Sequence, residues 1–368
     1  MKIYRHTISL ILILILTALL CSCAAQSSGT DTDIVKLTAG IDKDTVLLYV
    51  DKSPVTAEEY LYWTAQFMDS YYTYGNQADD NEFAWIDQMW DQGLKDAILN
   101  NIKNYNVPAV HAADYGYEPD EDELKEAVDM MVEDIEGSYG TEEEFSKYLR
   151  QMCISREGFR HIMEEYSWYS LLLEHLYGEG GEKEPADEEI LKFAENEGYY
   201  LCKYIYLSTT GAYTDAAVEA VREKAETALD LIKSADDPEE YLTALISDTN
   251  WNEDTLESED GFLSAGGSID ETFDAAVRAL EPGELSDVID DTENYGFYII
   301  MRLPVKADML RNTCCIYRFN DQIAKWNEDA EVEYTDDYSS IDFRQFYINL
   351  TDHRIKEFPD EPVTSVLD

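Results

Sequence analysis

Residues 268–303 read SIDETFDAAVRALEPGELSDVIDDTENYGFYIIMRL, and this stretch decides the fold of the second half of the chain. Its pattern predicts a short helix, a turn at Pro282 and Gly283, a strand, a polar turn and a final apolar strand. A helix that is followed by strands within so short a segment favours a small α+β domain.

The residues before this stretch extend the same predicted domain. Residues 200–207 (YLCKYIYL) are rich in aromatic and β-branched side chains, which predicts a strand. Residues 214–233 predict an amphipathic helix, because apolar side chains recur on one face. Residues 178–189 (GEGGEKEPADEE) combine glycine with charge and indicate a linker. We therefore place the domain at residues 190–306.

The region before the linker, residues 41–180, is predicted to be helical after one short strand. Residues 45–50 (TVLLYV) form that strand, and Thr56 and Glu59 have the spacing of a capping box, in which Glu59 reaches back to Thr56. Further helix starts are predicted at Thr141 and Ser155. This pattern indicates a second, mainly helical domain.

The chain after residue 306 returns to a helical pattern. Residues 307–335 predict a helix with four apolar side chains on one face, namely Ile316, Phe319, Ile323 and Trp326. Residues 336–368 are predicted to be an acidic, tyrosine-rich tail without an assigned place in the fold.

The N-terminus predicts export from the cytoplasm. Residues 1–22 have the basic start and the apolar run of a signal peptide, and the run is shorter than the roughly 20 residues that span a bilayer. Cys23 resembles the lipidated cysteine of a bacterial lipobox, because a small residue precedes it, whereas Cys21 follows a leucine. Residues 23–40 are small and polar and predict a flexible tether. A plain signal peptide with incidental cysteines is the alternative.

The composition excludes some classes of partner and site. A net charge of −51 makes nucleic acid an unlikely ligand, since its backbone is anionic too. The charge indicates either solubility or attraction of basic, unfolded polypeptides. The cysteine spacing matches no zinc or redox motif. Acidic residues at 248–259 have part of the spacing of a calcium loop, but Glu253 stands where that loop needs glycine. We expect no metal and no cofactor.

The order of elements in residues 200–303 resembles a parvulin-type (PpiC-like) peptidyl-prolyl isomerase domain. The resemblance implies an antiparallel sheet with short helices and an apolar pocket for the proline ring of a substrate. Phe273 matches the family's pocket phenylalanine, Ile269 matches a position usually held by methionine, and Leu263 matches a pocket leucine. The resemblance therefore implies that these three residues bind substrate.

The polar half of the site departs from the parvulin pattern. Tyr204 and Tyr298 stand where the family usually has histidines, and Thr249 stands near its central cysteine or aspartate. All three side chains donate and accept hydrogen bonds, so the resemblance implies that they form the catalytic group. The alternative is that both tyrosines only pack against each other across the sheet.

Residues 41–180 are similar in their order of elements to the chaperone region of extracytoplasmic foldases related to PrsA and SurA. The resemblance implies an α+β architecture in which a helical chaperone domain, completed by the returning helix of residues 307–335, carries an inserted parvulin-like domain. It implies a lipid-anchored foldase on the outer face of a bacterial membrane that isomerises X-Pro bonds of secreted polypeptides. A catalytically inactive holdase is the alternative. A substrate-binding lipoprotein is disfavoured, because such proteins alternate strands and helices throughout.

Overall fold

A computed structural model describes residues 33–74, 86, 89–248, 251, 260–294 and 296–359. The chain divides into two compact units, and the fold is α+β and mainly helical, as predicted. We call Met1–Glu184 together with Cys315–Asp368 the helical unit, and Pro185–Cys314 the sheet unit.

Thirteen α-helices are present in the described part of the chain. In chain order they are α1 (Ile34–Ala39), α2 (Ala57–Tyr74), α3 (Lys95–His111), α4 (Glu121–Ser138), α5 (Glu142–Gln151), α6 (Arg156–Tyr177), α7 (Asp187–Asn196), α8 (Asp215–Ser234), α9 (Pro238–Ile246), α10 (Glu271–Ala279), α11 (Ala307–Asp329), α12 (Asp336–Ser340) and α13 (Phe343–Glu357). Short π and 3-10 turns occur at Trp90–Leu94, Ala112–Tyr115 and Thr292–Asn294. None of the helices described is both long enough and apolar enough to cross a bilayer.

Seven strands of the described residues form two antiparallel sheets. They are β1 (Val46–Val50), β2 (Ser53–Thr56), β3 (Tyr200–Ser208), β4 (Phe262–Ser264), β5 (Ile289–Asp291), β6 (Gly296–Leu303) and β7 (Val332–Tyr334). The helical unit contains a sheet of order β2-β1-β7, and the sheet unit contains one of order β4-β3-β6-β5. The predicted strand before Thr56 and the predicted strands of the second domain are thus present.

Capping side chains begin several helices of the helical unit. The Thr141 hydroxyl accepts a hydrogen bond from the backbone N–H of Glu144 at 3.2 Å and starts α5, and Ser155 starts α6 in the same way. Thr56 accepts from the N–H of Glu59 at 3.3 Å. The buried Glu59 carboxylate lies near the backbone N–H of Thr56, as the predicted capping box requires, but without a hydrogen bond of good geometry.

The start of the described chain corrects the predicted tether. The Asp33 side chain accepts from the Lys36 N–H at 2.9 Å and caps α1, which ends at Gly40 in the left-handed region. Ile34 and Val35 are buried in the core of the helical unit. These two apolar side chains anchor residues that the polar composition had assigned to a tether.

The predicted acidic tail is also corrected over its described residues. Helix α13 buries Phe346, Tyr347 and Leu350 in the helical unit, and Asn349 donates a hydrogen bond to the carbonyl of Thr38 at 2.7 Å. Residues 336–368 contain eight acidic residues against three Arg and Lys, but the buried apolar side chains of α13 share one helix face. It is therefore part of the core and not an appendage.

The sheet unit extends beyond the predicted limits of residues 190–306. Ile190 and Phe193 of α7 form a small core with Leu310 and Cys314 of α11. The first turns of α11 thus belong to the sheet unit, while Phe319, further along α11, is buried in the helical unit. The remaining helices of the sheet unit cover its sheet, with α8 and α9 on one face and α10 on the other.

Candidate functional site

The two central strands of the sheet unit position the predicted tyrosines. In the antiparallel register of β3 and β6, Tyr204 lies opposite Ile300, and Tyr206 lies opposite Tyr298. Side chains two residues apart on a strand point to the same face, so all four lie on the face that α10 covers. Tyr204 and Tyr298 are diagonal neighbours across the two strands.

Helix α10 places Phe273 against this face. The Asp270 carboxylate accepts a hydrogen bond from the Phe273 N–H at 2.8 Å and caps the helix. The cap fixes the first turn of α10, which directs Phe273 toward the sheet, where its side chain has no exposed surface. Ile269, just before the cap, is half-buried and packs against the same cluster.

Four rings make up what we call the aromatic cluster: Tyr204, Phe262, Phe273 and Tyr298. The Phe273 ring centroid lies 4.9 Å from that of Tyr204 and 5.1 Å from that of Tyr298, both edge-to-face. The Phe262 centroid is 6.1 Å from Phe273 and 5.9 Å from Tyr204. Edge-to-face contacts at these distances are favourable, so the cluster is a packed core as well as a candidate site.

Leu263 does not join the aromatic cluster. It pairs with Leu201, and both side chains belong to the opposite face of the sheet. Phe262, one residue earlier, pairs with Cys202 and occupies the face where Leu263 was expected. A shift of one residue in a strand moves every side chain to the other face, which explains the difference.

The aromatic cluster is closed in this conformation. Phe273 is fully buried, whereas Phe262 is half-buried on the short edge strand β4. A ligand therefore reaches Phe273 only after a neighbouring ring turns aside. Among the four rings, Phe262 has the largest freedom to do so, because it is the most exposed and lies on an edge strand.

Two carboxylates that the sequence reasoning missed lie beside the aromatic cluster. The Tyr298 hydroxyl donates a long hydrogen bond of 3.5 Å to Asp270 Oδ2. Asp291 is 3% exposed, and its Oδ1 accepts from Asn294 at 3.0 Å, while its Oδ2 has no hydrogen bond of good geometry, although Thr272 and Asp270 lie near the carboxyl. Burial, and then the nearby charge of Asp270, raise the pKa of the Asp291 carboxyl. The polar half of the site thus contains acids and a hydroxyl.

Only part of this site could be found from the sequence. Asp270 precedes the predicted helix as a typical N-cap residue, which is a signal that was available. Asp291 lies in an acidic run, and nothing in that run distinguishes it from its neighbours. Its burial depends on the pairing of β5 with β6, where it lies opposite Gly296.

Several predicted positions lie outside the described residues. These are Thr249, the lipidation cysteine Cys23 and, apart from Asp248, the oxygen ligands of the calcium-loop pattern. Their roles remain predictions from the sequence.

No family model matches the sequence, and no curated protein matches it. Solved structures do resemble the chain. The foldase protein PrsA from Streptococcus pneumoniae is 20% identical, with 75% of this chain and 92% of that chain covered and a TM-score of 0.30. PrsA from Lactococcus lactis is 17% identical, with 83% and 99% covered and a TM-score of 0.32. PrsA from Bacillus subtilis is 16% identical, with 78% and 91% covered and a TM-score of 0.26.

These similarities are low in identity and in TM-score. They carry no argument about architecture, family or activity. The case for a function rests on the residues of the site itself.

Proposed function

We propose that this chain is a foldase, anchored to the outer face of a bacterial membrane, that binds unfolded secreted polypeptides and isomerises their X-Pro bonds. The observation that carries the proposal is the position of Phe273. Its ring lies between Tyr204 and Tyr298, with Ile269 beside it and Asp270 at the start of its helix. Apolar side chains and tyrosine hydroxyl groups thus lie next to each other on one face of the sheet.

This combination suits proline isomerisation. The barrier of about 18–20 kcal/mol arises from the partial double bond of the amide, so no nucleophile is required. Removing the amide from water and holding the proline ring while the bond twists favours the transition state over the ground state. Phe273 and Ile269 would hold the ring, and the hydroxyls of Tyr204 and Tyr298 would donate to the rotating carbonyl.

Phe262 would act as the movable wall of this pocket. When its ring turns away from the aromatic cluster, Phe273 becomes accessible from the β4 edge of the sheet. Truncation of Phe262 should therefore open the pocket, whereas truncation of Phe273 should remove its floor. If the two variants change the exchange rate in opposite directions, the aromatic cluster is a substrate pocket and not only a structural core.

The test is cis–trans exchange of an Ala-Pro peptide, measured by NMR with the full-length chain in detergent. We expect the wild type to exchange the peptide faster than buffer alone. Phe262→Ala should give a higher rate per bound peptide or bind the peptide more tightly, and Phe273→Ala should lose the acceleration. Leu263→Ala is the matched control, since this neighbour of Phe262 lies on the opposite face. Circular dichroism establishes that each variant is folded.

Tyr298→Phe tests the polar half of the same site. It removes one hydroxyl and keeps the ring, and Tyr206→Phe is the control from the same face. We expect Tyr298→Phe to lower the exchange rate roughly tenfold, which corresponds to the loss of one hydrogen bond to the transition state. Tyr206→Phe should leave the rate unchanged. Equal rates in both variants would exclude Tyr298 from catalysis.

A holdase that grips peptides without isomerising them is the second candidate. The full burial of Phe273 and the lack of histidine between residues 197 and 306 favour it. Exchange no faster than in buffer, together with suppression of client aggregation, would support the holdase and exclude the enzyme. A loss of suppression at high salt would indicate that the net charge of −51 attracts basic clients.

The membrane anchor is tested separately through Cys23. Cys23→Ser should move the chain from the membrane fraction to the soluble extracytoplasmic fraction, because acyl chains supply about 0.8 kcal/mol per buried methylene. Cys21→Ser is the matched control and should leave the chain on the membrane. If both variants stay in the membrane fraction, the anchor is not a lipid on Cys23.

A further inference from the structure

Two buried glutamates face each other in the helical unit, far from the aromatic cluster in sequence. Glu59 lies in the first turn of α2 and is 2% exposed, and Glu165 lies in the middle of α6 and is 7% exposed. His161 precedes Glu165 by one helical turn, so the two side chains share one face of α6. One ligand atom from each of the three residues lies within 4.8 Å of the other two.

The polar atoms of this cluster are poorly satisfied within the protein. Both carboxylate oxygens of Glu59 and Oε2 of Glu165 are buried without a hydrogen bond of good geometry, although the backbone N–H of Thr56 lies near the Glu59 carboxylate. Glu165 Oε1 accepts from Asn106 Nδ2 at 2.6 Å, and His161 Nε2 lies 3.9 Å from the same oxygen. Native proteins rarely leave several buried oxygens unsatisfied, so each such atom needs an explanation.

One basic side chain of the described residues lies near the two carboxylates. Of the bases in the described part of the chain, His161 is the one that forms an ion pair with either glutamate. Isolated buried carboxylates are costly, so the cluster must take up protons or another cation.

Protons alone leave the cluster unsatisfied. One proton shared between the two facing carboxyls neutralises one of them and leaves the other charged in a buried position. A metal ion, in contrast, accepts electron pairs from all the free oxygens at once. Each ligand atom would lie about 2.0–2.2 Å from the ion, so two ligand atoms would be at most about 4.4 Å apart. Small side-chain rotations would bring the three ligand atoms from their present separations, all within 4.8 Å, to these distances.

We propose that Glu59, His161 and Glu165 bind a divalent transition-metal ion that links α2 to α6. Two carboxylates and an imidazole form a ligand set that suits Zn²⁺, whereas Ca²⁺ and Mg²⁺ prefer oxygen alone. His161 is about half exposed at its side chain, so an ion can enter from the solvent, and water can complete its coordination. Asn106 fixes the orientation of Glu165, as outer-shell partners of metal ligands do.

Such an ion would act on the stability of the helical unit. It joins the first turn of α2 to the middle of α6, and it binds the folded chain in preference to the unfolded one. With free Zn²⁺ about 100-fold above the dissociation constant, we expect the melting temperature of the helical unit to rise by roughly 5–10 °C. This role is independent of any isomerase activity in the sheet unit.

The experiment is calorimetric titration of Zn²⁺ into the full-length, chelator-treated chain, with thermal unfolding measured in parallel. The 78 acidic residues will bind metal weakly elsewhere, so the comparison between variants carries the result. We expect one tight site in the wild type and a loss of affinity of at least about tenfold in Glu59→Gln and in His161→Ala. Ca²⁺ should neither compete nor stabilise.

Two matched controls lie on the same helix. Glu164→Gln alters the exposed acid beside Glu165, and His175→Ala alters an exposed histidine near the end of α6. Both should bind Zn²⁺ as the wild type does. The proposal is overturned if the wild type has no tight site, or if His161→Ala and Glu59→Gln bind and stabilise as the wild type does. If the buried Glu59→Gln variant fails to fold, His161→Ala still decides the test, because the His161 side chain is half exposed.

Discussion

The helical unit and the sheet unit each bury an aspartate, and they do so in opposite ways. In the helical unit, Asp69 on α2 is 6% exposed and accepts two hydrogen bonds from the Arg354 guanidinium, at 2.8 and 2.9 Å. Tyr347 donates a third at 2.7 Å. In the sheet unit, Asp291 is also buried, but its partners are the Asn294 amide and the nearby Thr272 hydroxyl, its charged neighbour is another acid, and no cation pairs with it among the described residues.

The difference indicates what each aspartate does for the protein. The Asp69 carboxylate, which is held by the buried Arg354 and the Tyr347 hydroxyl, links α2 to α13. Its removal would leave the Arg354 cation buried without a counter-charge. A carboxylate that lacks a cation does not stabilise its surroundings in the charged form, and such acids are found more often at functional sites. Asp291 lies beside the aromatic cluster, while Asp69 lies within a structural core.

Asp69→Ala should have the largest effect on stability. It leaves the Arg354 guanidinium buried and unpaired, which typically costs about 3–5 kcal/mol. Urea unfolding followed by circular dichroism should show this loss in the transition of the helical unit. Asp321→Ala is the control, since its ion pair with Lys325 is exposed and should contribute within about 0.5 kcal/mol. A loss below about 1 kcal/mol for Asp69→Ala would contradict the structural role of the pair.

Asp291→Asn should have a smaller effect of opposite sign. Asparagine keeps the shape and can still accept from Asn294, and it removes an unsatisfied buried charge, so we expect a gain of about 1–2 kcal/mol at pH 7. Because the folded protein raises the pKa of Asp291, the wild type loses stability relative to the variant as pH rises from about 4 through the folded pKa.

The pH profile is the decisive measurement for Asp291→Asn. Below pH 4 the carboxyl is protonated in the folded and unfolded states, so the difference between variant and wild type should be small there. It should grow with rising pH and then level off. A difference that is constant from pH 3.5 to 7 would mean that the variant acts through packing and not through the charge.

The main elements of both units could be predicted from the sequence, because they depend on local patterns. The aromatic and β-branched side chains of residues 200–207 predicted β3, and the spacing around Thr141 and Ser155 predicted two helix starts that the structure contains. Phe273 could be placed on a short helix by its position after an acidic N-cap. These signals lie within a few residues of one another in the chain.

The carboxylate environments could not be predicted, because they depend on residues far apart in the chain. Asp69 and Arg354 are separated by 285 positions, and nothing near either residue indicates the other. His161 and Glu165 have a visible one-turn spacing, but Glu59 completes that cluster from about a hundred positions away. Leu263 was assigned to the wrong face because the register of β4 against β3 is set by tertiary pairing.

Asp270→Asn should have the smallest effect, and it tests whether the two acids of the sheet unit act on each other. Asparagine caps a helix about as well as aspartate, so the hydrogen bond from the Phe273 N–H and the start of α10 should persist. Removing the charge of Asp270 should lower the pKa of Asp291, since that charge is one of its causes. The stability gained by Asp291→Asn at pH 7 should therefore shrink by about 0.5 kcal/mol or more in the Asp270→Asn background, as a double-mutant cycle would measure. If the gain is the same in both backgrounds, burial alone perturbs Asp291. The polar half of the site would then consist of one acid and a tyrosine, and not of a coupled pair.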